Sequence, residues 1–314
     1  MKKICFKYWP QENKEDDFFK NIVKKFGCKI VSEKEAEIMF FSSFVDGKNV
    51  KSIPKISFNG KKVFWTGENI QIDMKKCDFG FGFDYEEKVK DENYLRLPLY
   101  VYFGAGKNLL DKNSPKKILA SKKNFCNYIY SKDAIERVKL FKELNKYKKV
   151  DAPGKSMNNS MPLPPSKLTN LMKTIQKTES LIGKYYFSSL ISRHVGNWRK
   201  AVINYQKEYK FSIAFENSSY SGYTTEKIFH PMLANSIPIY WGNPNIERDF
   251  NTKSFVNYHD YNDFKKVVDI VIDLDTNNKK YLNMLKQPWL KENKLNKWMD
   301  SKRIEKQFEK ILKD

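Results

Sequence analysis

Two α/β units, each built on a parallel sheet, are the fold that this sequence predicts. Short apolar runs alternate with amphipathic helical stretches from residue 3 onward, which is the pattern of successive βα units. The same alternation restarts near residue 124, after a polar, lysine-rich stretch, DKNSPKKILASK (112–123). A chain of 314 residues, 40% of them hydrophobic, is long enough for two cores.

Taken in order, KICFKYW (3–9) reads as the opening strand. DDFFKNIVKKFG (16–27) follows as an amphipathic helix, because Phe18, Phe19, Ile22, Val23 and Phe26 recur at helical spacing. Gly27 is placed to stop it. CKIV, AEIMFF and VFW are short strands with short connections. NFCNYIYS (124–131) opens the second unit, followed by a helix from Lys132 to about Tyr147 and by KKVD. DAPGKSMNNSMPLPPSKLTN (151–170) is rich in turn formers and proline and reads as a loop. A helix-rich stretch over 166–207 comes next, a candidate active-site cover, acceptor dock or variable insertion. FSIAF (211–215) is a strand, ENSSYSGY a glycine-containing loop, TTEKIFHPMLAN a helix and SIPIYWG a strand. Thr224 or Thr225 can cap that helix, with Glu226 in its first turn.

Composition narrows the function. The formal net charge is +21, but the lysines are spread along the whole chain with no nucleic-acid-binding motif or aromatic platform. Nucleic acid is therefore not expected as a partner, whereas contact with an anionic membrane surface is compatible with the charge. The C-terminal WLKENKLNKWMDSKRIEKQFEKILKD carries a lysine-flanked apolar stripe of Leu295, Trp298, Ile304, Phe308 and Ile311. It reads either as a membrane-surface helix or as a terminal helix packed on its own domain. No apolar run reaches the roughly 18 residues of a transmembrane helix, and MKKICFKYWPQENKEDD lacks the apolar core of a secretory signal. A cytoplasmic protein, peripheral on the inner membrane in the first of those two readings, is expected. Cys5, Cys28, Cys77 and Cys126 form no CxxC pair, so free thiols are expected. The three histidines, His194, His230 and His259, have no metal-ligand spacing.

A helix start following a strand favours an anion, because its free N–H groups and its dipole both point at the ligand. Lys227 adds a full positive charge there. A diphosphate ligand is the first expectation. The whole stretch 211–260, FSIAFENSSYSGYTTEKIFHPMLANSIPIYWGNPNIERDFNTKSFVNYHD, closely resembles the donor-binding signature of the α1,3/4-fucosyltransferases, glycosyltransferase family 10. Residues 62–100, from KVFWTGEN to YLRLPLY, and residues 124–159, from NFCNYIYS to KSMNN, resemble two further segments of that family. The resemblance covers most of 60–290 and is weaker before 60, between about 160 and 205, and after 290. It is to the shorter bacterial type.

The resemblance implies a GT-B fold, two Rossmann-like domains facing each other across a cleft. Residues 1–118 would form an N-terminal acceptor-binding domain and 119–290 a C-terminal GDP-fucose-binding domain, with 291–314 as a separate basic amphipathic helix. It implies inverting transfer of L-fucose from GDP-fucose to the GlcNAc of an N-acetyllactosamine-type glycan, in α1,3-linkage with α1,4 left open. A lipopolysaccharide-borne acceptor and Lewis-type products follow. No cofactor or metal is required in this reading; GDP-fucose is the donor substrate. Glu68, in WTGEN, matches the family's proposed catalytic base; Asp84 and Glu86 are acidic rivals, Asp84 as a structural turn residue. Arg137 matches a diphosphate-binding arginine, and Lys227 joins it. Asn217, Tyr223 and Glu226 match donor-contacting positions. Ser131 starts the loop facing the nucleotide, where Lys132 replaces the family's usual asparagine. Two rivals stay open: a GT-B transferase for another nucleotide sugar, and a non-catalytic basic module binding nucleic acid or anionic lipid.

Overall fold

Four consecutive buried residues, Ile38–Phe41, form the kind of run that only a strand covered on both faces can hold, and the first sheet is built around them. The computed structural model describes residues 1–10, 17–161 and 198–313, together with 174–175, 177–179 and 181. His194 and most of the helix-rich stretch expected over 166–207 lie outside the described residues.

The chain divides into two compact units. The first comprises Met1–Gly106, Tyr220–Thr225 and Leu295–Asp314. Its elements are β1 (Lys3–Lys7), α1 (Phe18–Lys25), β2 (Lys29–Ile30), β3 (Ile38–Phe41), the hairpin β4 (Phe44–Val45) and β5 (Lys48–Asn49), β6 (Lys61–Trp65), β7 (Phe79–Gly82), α2 (Glu86–Val89), β8 (Tyr94–Arg96) and α3 (Leu99–Tyr102). Six of the strands form one sheet in the order β2-β1-β3-β6-β7-β8, and every pairing in it is parallel. Register places Phe40 between Phe6 and Val63. Buried Asp17 caps α1 by accepting from the Lys20 N–H at 3.1 Å, and it also accepts from the Trp9 indole at 2.7 Å. Gly27 ends that helix at φ +71°.

The chain's last helix, labelled α10 below, spans Ser301–Leu312 and belongs to this first unit. The ring of Phe308 packs against Phe19, Phe26, Phe40 and Phe81 at centroid distances of 5.6–6.3 Å. Of the two readings of this segment, the structure has the terminal helix packed on the protein. Ile304, Phe308 and Ile311 are core residues of the N-terminal sheet, so the apolar stripe is already covered.

Residues 220–225 also return to the first unit, through Arg96. Its guanidinium is buried between the rings of Tyr85 and Trp298, at 4.5 and 4.6 Å. It donates to the Phe83 carbonyl at 2.9 Å and the Gly222 carbonyl at 2.8 Å. Gly222 has φ +90°, and a Cβ there would sit 2.4 Å from the Phe83 oxygen. Only glycine fits that approach.

The second unit comprises Lys107–Ser219 and Glu226–Lys294. It contains α4 (Pro115–Ala120), β9 (Asn124–Asn127), α5 (Ile135–Tyr147), β10 (Val150–Asp151), α6 (Trp198–Gln206), β11 (Tyr209–Phe215), α7 (Glu226–Leu233), β12 (Ile237–Trp241), β13 (Val256–Asn257), α8 (Phe264–Thr276) and α9 (Asn278–Lys286). The boundary therefore falls at Gly106–Lys107, upstream of the expected division at 118/119, because α4 packs on α9 of the second unit. The five strands are parallel in the order β10-β9-β11-β12-β13. Leu140 and Leu144 of α5 and Val267 and Val271 of α8 share a core with Ile213, Ile237 and Ile239 of the sheet. Among the described residues no helix is long and apolar enough to cross a membrane.

Candidate functional site

In a parallel sheet every strand ends on the same edge, and ligands bind beyond that edge. Here the segments following β9 and β10 and the start of α7 line one cavity of about 370 Å³, within the range of small-ligand sites. Ile129, Tyr130 and Ser131 come from the β9 side, Pro153 and Gly154 from the β10 side, and Glu226, Lys227 and His230 from α7. Trp198, Ala201, Val202 and Gln206 of α6 and Ile213 of β11 complete the wall. Gly154 lets two of these segments touch, since a Cβ there would stand 2.2 Å from the Tyr130 carbonyl oxygen.

The charged wall is a carboxylate–lysine–carboxylate row. Lys227 Nζ lies 3.4 Å from Glu216 Oε2 and 3.4 Å from Glu226 Oε1. The Glu216 side chain is 0% exposed and that of Lys227 16%. Burial pushes the Glu226 carboxyl up, but Lys227 and then His230 pull it down, and the balance lies below the ordinary value. Glu226 is therefore ionised at neutral pH. Its Oε2 is nevertheless buried without a hydrogen-bond partner, which leaves an acceptor open to a ligand hydroxyl. Burial lowers the His230 imidazole to about 4, so it stays neutral.

Arg137 stands behind this wall. It is 2% exposed and lies 3.7 Å from the centre of the Tyr130 ring. It donates to the carbonyls of Lys132, Phe215 and Glu216 at 3.1, 3.0 and 2.9 Å, and to Asn217 Oδ1 at 3.0 Å. Its Nη2 thus holds the end of β11 while its Nη1 holds the Lys132 carbonyl, and its Nε is buried without a partner. The geometry makes Arg137 a clamp on the strand end that carries Glu216 and Asn217.

The other expected residues divide. Ser131, Glu226 and Lys227 meet in the cavity, whereas Asn217 is held beside it by Arg137. Tyr223 belongs to the first unit, buried edge-on against Phe83 at 5.2 Å. Glu68 follows β6, also in the first unit, and its Oε1 accepts from Asn49 Nδ2 at 2.7 Å. Its backbone N–H is fixed by Thr66 Oγ1, which bonds Ser43 in turn. The rival acids are tied down. Asp84 accepts from the Ile72 N–H and Lys88, and Glu86 from the Arg96 N–H and Arg303.

The sequence reading missed the α6 wall. Trp198, Val202 and Gln206 recur every four residues, a helical face, but nothing in that spacing says that the face lines a ligand site. Among the described residues no cluster of three His, Cys, Asp or Glu side chains could hold a metal ion. The cavity combines a helix start, a lysine, an open carboxylate and a mostly apolar rear wall. That set suits a nucleoside diphosphate carrying hydroxyl groups.

Comparison with known proteins agrees with this chemistry. The family model for glycosyltransferase family 10 (fucosyltransferase), C-terminal part, matches residues 119–311, and that for an α-(1,3)-fucosyltransferase FucT N-terminal domain matches residues 4–103. The chain is 31% identical over 253 residues to an α-(1,3)-fucosyltransferase FucT of Helicobacter pylori, covering 78% of this chain and 51% of that protein. It is 37% identical over 76 residues to the human 4-galactosyl-N-acetylglucosaminide 3-α-L-fucosyltransferase 9, 24% of this chain and 21% of that one. The chain thus spans about half the length of the bacterial relative and less of the human one. A crystal structure of an α1,3-fucosyltransferase with GDP-fucose superposes with a TM-score of 0.72 at 23% identity, covering 100% of this chain and 90% of the other. The likeness shows that the two parallel-sheet units are of GT-B type.

Proposed function

The chain belongs to glycosyltransferase family 10, and from that premise we propose that it transfers L-fucose from GDP-fucose to a GlcNAc-containing glycan in α1,3-linkage, with inversion. One observation carries the reading for this chain. The open Glu226 Oε2 sits beside Lys227 at a helix start, so hydroxyl donors and phosphate acceptors are bound side by side, as a sugar nucleotide presents them. The alternative of another nucleotide sugar has no observation in its favour.

The cavity holds the nucleotide in this reading. Lys227 and the α7 N-terminus face the diphosphate, with the Arg137 charge behind them. The row Glu216–Lys227–Glu226 is net negative by itself. Helix dipole and Arg137 are therefore both needed for the leaving group to be stabilised. Glu68 takes the proton from the acceptor hydroxyl. That oxygen forms its bond to the fucose anomeric carbon as the bond to the β-phosphate oxygen breaks, and GDP leaves with the electron pair. Protein cations carry the charge stabilisation, so no metal is required. The acceptor we propose is an N-acetyllactosamine unit of a lipopolysaccharide-type glycan, giving Lewis-type products in the cytoplasm. Contact with the anionic inner leaflet would rest on the net charge of +21, because the C-terminal apolar stripe is buried.

The test is a donor and acceptor panel. GDP-fucose, GDP-mannose and UDP-galactose are each incubated with N-acetyllactosamine, lacto-N-biose or lactose, and products are read by mass and linkage. Product from GDP-fucose with N-acetyllactosamine is expected. Product from another donor alone would overturn the assignment.

A further inference from the structure

Gln206 ends α6, is 5% exposed and lines the cavity. Its side-chain oxygen is buried without a hydrogen-bond partner. Such an atom is costly unless something outside the protein supplies a donor. Nothing in the mechanism above uses it.

Chain direction locates it. Helix α6 leads through residues 207 and 208 into β11, which runs from Tyr209 toward Phe215 and the ligand-binding edge. Gln206 therefore lies at the deep end of the α6 wall, with Trp198 toward the rim. Lys227, which faces the diphosphate in the donor reading, and Ser131, which starts the loop facing the nucleotide, belong to the strand-end rim. The part of the ligand farthest from the phosphates on the nucleoside side is the base. Apolar Val202 and Ile213 suit its faces, and a single carboxamide suits its hydrogen-bonding edge.

We propose that Gln206 reads the nucleobase of the donor, its side-chain oxygen accepting from the N1–H or N2–H of guanine. This makes it a specificity-determining residue, and the assignment rests on the donor reading above. A base without a donor at that place leaves the amide unpaired, which is how a site built on a hydrogen bond rejects analogues.

The experiment is calorimetric titration of the full chain with GDP, ADP, UDP and GDP-fucose, for the wild type, Gln206→Met and Gln206→Leu. The wild type is expected to prefer GDP over ADP and UDP. Both variants are expected to lose about tenfold in GDP affinity, the worth of one such bond, with ADP and UDP unchanged. The ligand-free Tm of the variants is expected to equal or exceed that of the wild type, because an unpartnered buried amide has been removed. An unchanged GDP-to-ADP ratio in both variants overturns the proposal. So does a loss confined to GDP-fucose, which would put the sugar at Gln206, or a fall in ligand-free Tm in both, which would give the amide a structural partner. A wild type that does not bind GDP at all overturns the donor reading itself, and this proposal with it.

Discussion

Lys227 has two tasks, and they can be separated by substitution. It neutralises Glu216, whose side chain is 0% exposed, and it faces the cavity. Lys227→Met removes the cation 3.4 Å from the buried Glu216 carboxylate, and the loss in stability is expected to be about 3 kcal/mol. Adding Glu216→Gln should restore most of the Tm but none of the GDP binding. If the double variant shows the wild-type Tm shift with GDP, Lys227 does not contact the donor. Glu68→Gln should lower kcat by roughly 10²-fold or more, as loss of a general base does, with GDP affinity unchanged. Glu86→Gln is the contrast: it weakens the 2.6 Å pair with Arg303, so it should move Tm and spare the rate. Near-normal turnover in Glu68→Gln would return the base to another residue. At this scale the motif residues were legible because they fall inside long family-like strings. Gln206 was not, because a lone glutamine at a helix end has no pattern. What the sequence did not hold for Arg137 is its surroundings: its terminal nitrogens bond three carbonyls and Asn217.

Helix α7 carries a pH dependence of its own. His230 is buried, and burial lowers its imidazole in the folded chain to about 4, below the ordinary 6.5. Between those values the unfolded chain binds more protons than the folded one. Stability is therefore fully present above about pH 6.5 and falls as pH drops toward 4, by about 3 kcal/mol from this residue. Denaturant titrations of His230→Leu at several pH values should show a flatter acid limb than the wild type; parallel limbs would refute the contribution. Helix α10 makes a second point. Its apolar stripe was plain in the sequence, but periodicity gives a face and never its partner. The partner is the aromatic core around Phe40, 268 residues away in the chain by number. Phe308→Ala is expected to cost about 3–5 kcal/mol. A cost under 1 kcal/mol, read from denaturant unfolding, would mean that the helix is only loosely attached.

The alternation of strands and helices was enough to predict two parallel-sheet units, since apolar runs such as IMFF and FSIAF are explicable only as covered strands. Unit membership was less legible. Residues 220–225 and 295–314 leave their sequence neighbours for the first unit, and they do so through single contacts such as Arg96 to Gly222 that no linear pattern encodes. Net charge likewise said little, because its lysines are scattered and many are engaged locally, as Lys148 and Lys210 are with Asp275. As a whole, the molecule is proposed to join a fucosyl donor to an acceptor with protein cations alone. GDP release from GDP-fucose, followed in time with and without N-acetyllactosamine and in excess EDTA, tests it most directly. Acceptor-dependent release is expected, matched one for one by fucosylated product and undiminished by the chelator. Release that ignores the acceptor, or that stops in EDTA and returns with manganese, would contradict it.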